Sequence, residues 1–391
     1  MINKIKSLAK ELKADIIDVR RHLHQFPGLS FEEYESAQYI HALLDSWNIE
    51  HEFVTETGVV ARIEGRNPGK RTIALRADID ALPIQEKNDC QYKSTVDGVM
   101  HACGHDAHAA MLLGAANILN QMKDDLEGTI ELIFQPGEEK LPGGASVMIE
   151  KGVLKDVDLI IAQHVYPDLP CGEVGFHAGE YMASCDEINI TVKGKGGHAA
   201  KIKERSNTTV AAAKLLCAIS ELSSEFNKEE RKNPIIIAFG SFIADGTYNV
   251  IPNEVTLKGT MRTFDETERQ HIKDKIKEIS AEIAVAFDVE VDVFIEGGYP
   301  VLINDVSLTD SLRSAAKDFM GEDNVKDIPQ LMTAEDFAWY SHKTKACMYR
   351  IGTSNTEKGI VSKQHTPTFD IDEDALEIGA GLMAWMLCSN P

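Results

Sequence analysis

The feature that most constrains the fold is where the chain puts side chains able to hold a metal. The β-like run Gly128–Phe134 ends in Gln135-Pro-Gly-Glu-Glu139, and the apolar run Asp158–Gln163 ends in His164. A third motif, His-Ala-Cys-Gly-His-Asp-Ala-His at 101–108, puts three imidazoles and one thiol within eight residues, directly before a helical apolar run, Ala109–Leu119. Thiolate and imidazole are borderline-soft ligands that suit zinc and other late divalent metals. Open α/β sheets gather functional groups beyond the carboxyl ends of their strands, so three such motifs fit one shared site. Far downstream, Gln364-His365-Thr-Pro-Thr-Phe369 places a further histidine in a polar turn.

Glu138 and Glu139 suggest two roles. One carboxylate can bind metal while its neighbour stays free to accept a proton from metal-activated water. Adjacent residues on an extended chain point in opposite directions, so the Pro136-Gly137 turn has to bring both inward. Taken singly, each motif has a plain structural alternative. With 62 Asp and Glu in 391 residues, two adjacent glutamates can be a solvated loop, and Cys103 can be a reduced structural cysteine.

The order of elements divides the chain. Residues 4–24 and 32–47 have helical spacing, broken by Pro27-Gly28, and strand-like runs follow at 58–64, 72–77, 128–134 and 158–163, with a helix at 105–122. Strands alternating with helices predict a mostly parallel sheet covered on both faces. From about 184 the rhythm changes to strand 186–193, helix 207–226, strands 235–242 and 255–264, helix 265–287 with Asp265 as N-cap, and strand 289–295. That order, β-α-β-β-α-β, is ferredoxin-like. His365 lies beyond it and the other candidate ligands before it, so the expectation is a discontinuous α/β domain, 1–183 with 296–391, interrupted by an inserted domain at 184–295. Gly297–Pro300 reads as the return linker.

Composition narrows the function. A net charge of −22 argues against nucleic acid or an anionic membrane as partner, since both are polyanions. A chain that is 43% hydrophobic and 26% charged is an ordinary globular one. No apolar stretch approaches the roughly 20 residues that span a bilayer, and the N-terminus lacks a signal-peptide apolar core. A cytoplasmic location is expected. Seven cysteines without a Cys-x-x-Cys indicate reduced thiols, with Cys103 the exceptional one.

Taken in order along the chain, the motifs resemble the M20 metallopeptidases, specifically the aminoacylase/amidohydrolase branch that includes hippurate and auxin-conjugate hydrolases. The resemblance runs nearly end to end. It includes Arg20–Pro27, Ala74–Pro83, the Cys103 segment, Gln135–Glu139, Gly194-Lys-Gly-Gly-His198, Asn249-Val-Ile-Pro252, Met261-Arg262, Ala334-Glu-Asp-Phe337 and His365–Glu373. It implies two divalent ions per subunit, zinc or manganese, held by Cys103, His105, Glu139, His164 and His365. By the same resemblance Glu138 is the general base and acid, Asp80 supports the ligands, and Asn249 and Arg262 contact the substrate. The inserted domain serves as lid and dimer interface, with His198 completing the active site of the partner in a homodimer. Cys103, where the dipeptidase branches typically carry Asp, points to N-acyl amino acids as small-molecule substrates.

One stretch departs from the family pattern. After Gly-Gly-His, many relatives have a Pro-His and a later Asp-Pro, whereas this chain reads Lys201-Ile-Lys-Glu-Arg-Ser-Asn-Thr208. This puts loop geometry and substrate preference in doubt but leaves every ligand position intact. Three competing readings stay open: a dipeptidase or carboxypeptidase, a cysteine hydrolase with Cys103 as nucleophile, and a metal-binding protein without activity. Among the other histidines, His22 and His24 read as groups that pack or hydrogen-bond the first helix. His108 reads as a support for the ligands, and His177 has no obvious partner. Met383, Trp385 and Met386 read as core.

Overall fold

The computed structural model describes residues 1–204, 206–227 and 234–389. Of the divergent stretch after His198, Arg205 and the side chains of 202–204 lie outside the described residues. The chain forms two compact units, one of Met1–Gly179, Ile303–Pro329 and Asp336–Pro391, the other of Glu180–Leu302 with Gln330–Glu335. The second unit is wider than the expected 184–295. Residues 330–331 join it because Leu331 N donates to Tyr181 O, Ala183 N donates to Leu331 O, and Gln330 Nε2 donates to Glu180 O. Such pairing across 150 residues leaves no local signature.

The first unit is built on an eight-stranded sheet in the order Glu50–Phe53, Val59–Glu64, Thr129–Gln135, Thr72–Asp78, Leu159–Pro170, Lys345–Ser354, Val174–Phe176, Val325–Asp327. Its four central strands run parallel, whereas Val59–Glu64 is antiparallel to both of its neighbours and Val174–Phe176 is antiparallel to Lys345–Ser354. The expected mostly parallel sheet is thus a mixed one, parallel at its centre. Every residue of Thr72–Asp78 is buried, which is why it reads as a continuous apolar run interrupted only by Arg76 and its terminal Asp.

Helix His105–Gln121 is buried on nearly all sides. It packs against Asp374–Cys388 and Lys13–Gln25 through small residues. A Cβ on Gly114 would lie 2.7 Å from Ile16 Cδ1 and 2.9 Å from Ala380 Cβ, and one on Gly379 would lie 2.1 Å from Met111 Sδ. Glycine at these two positions lets the helices approach closely. Met383 and Met386 lie in the resulting core and Trp385 packs against it. The helical stretch expected at 4–24 is two helices, Ile2–Glu11 and Lys13–Gln25. His177 does have a partner, since its Nδ1 lies 2.7 Å from the Ile328 carbonyl.

The second unit has a four-stranded antiparallel sheet in the order Ile236–Ile243, Glu254–Arg262, Asp186–Lys193, Glu290–Gly297. Helices Thr208–Phe226 and Glu266–Phe287 pack on it around Ile188, Ile190, Val192, Leu215, Leu257 and Ile276. Asp265 caps the second helix, accepting from Thr267 N at 2.7 Å and Glu268 N at 2.9 Å. Asp186 is fully buried and takes a bidentate Arg269 pair at 2.7 and 2.9 Å, with Lys273 at 2.7 Å. Among the described residues, no helix is long and apolar enough to cross a membrane.

One sheet residue makes stability depend on pH. Glu131, half-buried opposite Arg62, is pushed up to about 7 by burial, which outweighs the pull of Arg62, with Asp156 and Glu52 adding to the rise. A carboxyl whose folded pKa is raised favours the fold below its unfolded pKa, and that contribution is lost as pH rises through the folded value. Glu131→Gln is therefore expected to match the parent protein near pH 4 and to be more stable than it near pH 8, as read from urea midpoints. A constant difference across that window would rule the assignment out.

Candidate metal centre

The site sits at the carboxyl edge of the central strands. Strand Thr72–Asp78 delivers Asp78 and Asp80, Thr129–Gln135 leads into Glu138 and Glu139, and Leu159–Pro170 carries His164. Gly104, at φ 91°, turns the chain into helix His105–Gln121, leaving Cys103 just outside and His105 on the first turn. His365, itself at φ 59°, is anchored by its own N–H on Ala102 O at 2.8 Å. The candidate ligand atoms of Cys103, His105 and His164 lie within 4.8 Å of one another. The same holds for Cys103, Glu139 and His365, and for His105, Glu138 and Glu139.

Hydrogen bonds aim these donors. His105 Nδ1 lies 3.0 Å from Asp80 Oδ1, and His164 Nδ1 lies 2.8 Å from Val165 O. Each ring thus turns Nε2 inward, and His164 Nε2 lies 3.8 Å from Cys103 Sγ. His105 Nε2 is buried without a hydrogen-bond partner, and so is Glu139 Oε1, although His365 Nε2 is 3.1 Å from it. Buried polar atoms that make no hydrogen bond carry a desolvation cost that a bound cation would offset. Sulfur, imidazole nitrogen and carboxylate oxygen together fit borderline divalent ions.

A layer of buried charge holds the ligands in place. Asp80 Oδ2 accepts from Ser30 Oγ at 2.6 Å and from Glu139 N at 3.0 Å, so one carboxylate steadies both His105 and the glutamate loop. Glu33 accepts from Gly137 N at 2.8 Å, Phe31 N at 2.7 Å and Thr57 Oγ1 at 2.7 Å. Burial pushes it up to about 7 against the pull of Thr57. Asp336 accepts from Arg76 Nη2 at 2.7 Å, Gln135 Nε2 at 2.7 Å and Ala145 N at 2.9 Å, while its own N–H donates to Glu138 Oε1 at 3.3 Å. Arg76 Nη1 also binds Asp78 at 2.6 Å.

His108 is held between Asp78 Oδ1, 2.5 Å from its Nδ1, and Val165 N, which donates to its Nε2 at 2.9 Å. His24, read as packing or hydrogen-bonding the first helix, lies fully buried with Nδ1 2.7 Å from Asp106 and Nε2 3.2 Å from Glu86. Arg20 pairs with the same Asp106 at 2.8 Å. This network pins the first turn of helix His105–Gln121.

Burial pushes the metal-free Cys103 thiol up to about 12, with Glu139 adding to the rise. Burial also holds His164 well below the usual imidazole range, reinforced by Arg350. His105 is opposed by burial, yet Asp78, Cys103 and Asp80 together hold it well above that range. A neutral His164 keeps its Nε2 lone pair available to a metal.

The remaining residues singled out from sequence lie in the second unit. His198 is exposed on the short strand Gly197–His198, which pairs with Val250–Ile251, and Ala199 N donates to Asn249 O at 2.9 Å. Arg262 ends strand Glu254–Arg262 with Nη1 buried and without a hydrogen-bond partner among the described residues. Within the first unit, Asp78, Glu33, Arg76 and Asp336 were not identified as site residues from the sequence. For Asp336 the Ala334–Phe337 motif was the available signal.

A cluster of soft and hard donors at strand ends, beside a carboxylate held by a peptide N–H, defines a candidate metallohydrolase of the α/β class. The comparisons agree with it. The model of peptidase family M20/M25/M40 matches residues 74–388. The chain is 40% identical over 302 residues to an N-acyl-L-amino acid amidohydrolase of Geobacillus stearothermophilus, covering 77% of this chain and 81% of that protein. It is 36% identical over 384 residues to thermostable carboxypeptidase 2 of Saccharolobus solfataricus, covering 97% and 96%. Among solved structures, the YxeP protein of Bacillus subtilis, described as a dinuclear metal binding peptidase, superposes with a TM-score of 0.83 at 34% identity, covering 97% of this chain and 98% of that one. The chain belongs to peptidase family M20/M25/M40.

Asp336→Ala would leave the buried Arg76 guanidinium and the Gln135 amide short of an acceptor. Breaking a buried pair from one side costs about 3–5 kcal/mol, so the variant is expected to unfold at markedly lower urea. An unchanged midpoint would show that Asp336 does not organise the loop.

Proposed function

We propose that this chain is a metal-dependent amidohydrolase that cleaves the amide bond of N-acyl amino acids, yielding a carboxylic acid and an amino acid. The observation that carries this reading is the convergence of the ligand atoms of Cys103, His105 and His164, and of Cys103, Glu139 and His365, each set within 4.8 Å, beside the separately held carboxylate of Glu138. Cys103, His105, Glu139, His164 and His365 would hold two divalent ions, zinc or manganese, which supply Lewis acidity and lower the pKa of the attacking water.

The chain's own groups do the rest. Glu138 takes the proton of the attacking water and returns it to the leaving amine. The Asp336 N–H at 3.3 Å steadies one oxygen of Glu138. Asp80 keeps His105 in the tautomer that turns Nε2 inward. His198 donates to the developing oxyanion. Arg262, whose Nη1 is buried without a partner, receives the substrate carboxylate, and Asn249 supplies a further polar contact. The similarity to thermostable carboxypeptidase 2 favours a second reading, cleavage of peptides at the C-terminus.

The second unit, with its β-α-β-β-α-β order, is a ferredoxin-like lid and dimerisation domain in this reading. Exposed Ile236, Phe242, Ile243 and Phe294 on its outer strands support a pairing surface. The working unit is then a cytoplasmic homodimer in which His198 completes the partner's site.

A panel of N-acetyl and N-benzoyl amino acids set against dipeptides tests the substrate class. Chelation is expected to abolish hydrolysis, and zinc or manganese to restore it. Glu138→Gln is expected to keep bound metal while losing about 10²–10⁴-fold in kcat. Activity that survives chelation and dies on alkylation of Cys103 would instead mean a cysteine hydrolase. For the dimer, inactive Glu138→Gln and His198→Ala proteins are mixed under subunit exchange. Half the dimers are then mixed, each with one intact site of two, so activity should return toward about a quarter of the parent value. No recovery despite demonstrated exchange would place His198 in its own subunit's chemistry or in none.

A further inference from the structure

We propose that the first unit carries a separate divalent-cation site built by His41, Asp45 and His51, of the borderline class to which zinc belongs. The site lies at the edge of the eight-stranded sheet. His41 and Asp45 stand one turn apart on helix Tyr34–Ser46, and His51 is on the outermost strand, Glu50–Phe53. A tight turn locks the two elements together. Asn48 sits at φ 54°, its N–H on Asp45 O at 3.0 Å, and Ile49 N donates to Leu44 O at 3.0 Å.

Hydrogen bonding brings the ring nitrogens of this group together at one point. His51 Nδ1 lies 2.7 Å from Ile49 O, so it carries the ring proton and donates it. This is the arrangement by which metal-bound imidazoles are commonly oriented. The remaining His51 nitrogen, Nε2, is an acceptor and lies 2.6 Å from His41 Nδ1, which therefore donates to it. His41 Nε2 is then left with a lone pair facing Asp45 Oδ2 at 3.5 Å, while Asp45 Oδ1 is 3.8 Å from His51 Nε2. A metal ion between His41 Nδ1 and His51 Nε2 would take the place of the proton they share, which then moves to His41 Nε2 and is accepted by Asp45 Oδ2, leaving Asp45 Oδ1 as the third ligand.

The donor set is a metal-ligand set. The three ligand atoms lie within 4.8 Å of one another. Two imidazoles and a carboxylate make three protein ligands, and solvent completes a tetrahedron. The His51 side chain is 4% exposed, His41 37% and Asp45 66%, so one ligand is rigidly seated and the other two open a path for the ion. With metal–nitrogen bonds of roughly 2.0–2.1 Å the two ring nitrogens must part by several tenths of an ångström, a movement that the exposed His41 permits.

The site is independent of the strand-end cluster, and so is its test. Holoenzyme and the variants His41→Ala and Asp45→Asn are saturated with zinc, freed of excess, and their metal content per chain is measured beside N-acyl amino acid hydrolysis. Each variant is expected to hold one zinc fewer than the parent protein, with hydrolysis unchanged and a smaller rise of Tm on adding zinc. Asp45→Asn changes an exposed group and keeps the proposal testable if His41→Ala does not fold. Equal zinc content in all three proteins would overturn the site. Loss of hydrolysis together with the missing ion would overturn its independence.

Discussion

The functional half of the molecule depends on how two buried carboxylates, Asp78 and Asp80, are satisfied. Both are essentially without solvent contact at the end of a central strand, and a buried charge is tolerable only when paired and hydrogen-bonded. Their partners are Arg76 on the same strand, His105 and His108 on the following helix, Ser30 near the N-terminus and the peptide N–H of Glu139. Satisfying two side chains therefore fixes four distant segments against one another, and three of the five candidate ligands are carried or adjoined by those segments. Both aspartates are held below the usual carboxylate range. Burial works against this, but the paired histidines and the hydrogen bonds outweigh it.

The same two carboxylates separate histidines that look alike. His105 and His108 stand one turn apart, and each turns Nδ1 to an aspartate. What differs is the far nitrogen. His108 Nε2 receives the Val165 N–H and so tethers the strand end beside His164. His105 Nε2 makes no hydrogen bond, its nearest charged neighbour being Asp78 Oδ2 at 3.7 Å. Around that ring, Asp78, Asp80, Glu138 and Glu139 gather negative charge that cations would offset.

The second unit solves its own burial problem. Asp186 is matched by Arg269 and Lys273 within the unit, and its apolar core is separate from that of the first. An insert with its own core and its own paired charges can interrupt a sheet domain without drawing on that domain's interior. The chain then returns to the first unit at Ile303, and its later strand Lys345–Ser354 lies beside Leu159–Pro170 in the centre of the large sheet.

By itself, the sequence determined the local elements and the donor chemistry. Continuous apolar runs marked the buried strands, helical spacing marked the helices, and strand-end Cys103, His105, Glu138, Glu139 and His164 stood out because thiol and imidazole are rare and carry few other meanings. Tertiary structure decided which ordinary residues support them. Asp336 and Glu33 are two acidic residues among 62, and in sequence a buried carboxylate looks the same as a solvated one. Their partners, Arg76 and Gly137, lie 260 and 104 positions away. The antiparallel flanks of the sheet, the Leu331 pairing in the second unit and the meeting of His41 with His51 have the same origin. Periodicity records how deeply a residue is buried, whereas the identity of its neighbours is set only when distant segments pack and every buried charge must find a partner.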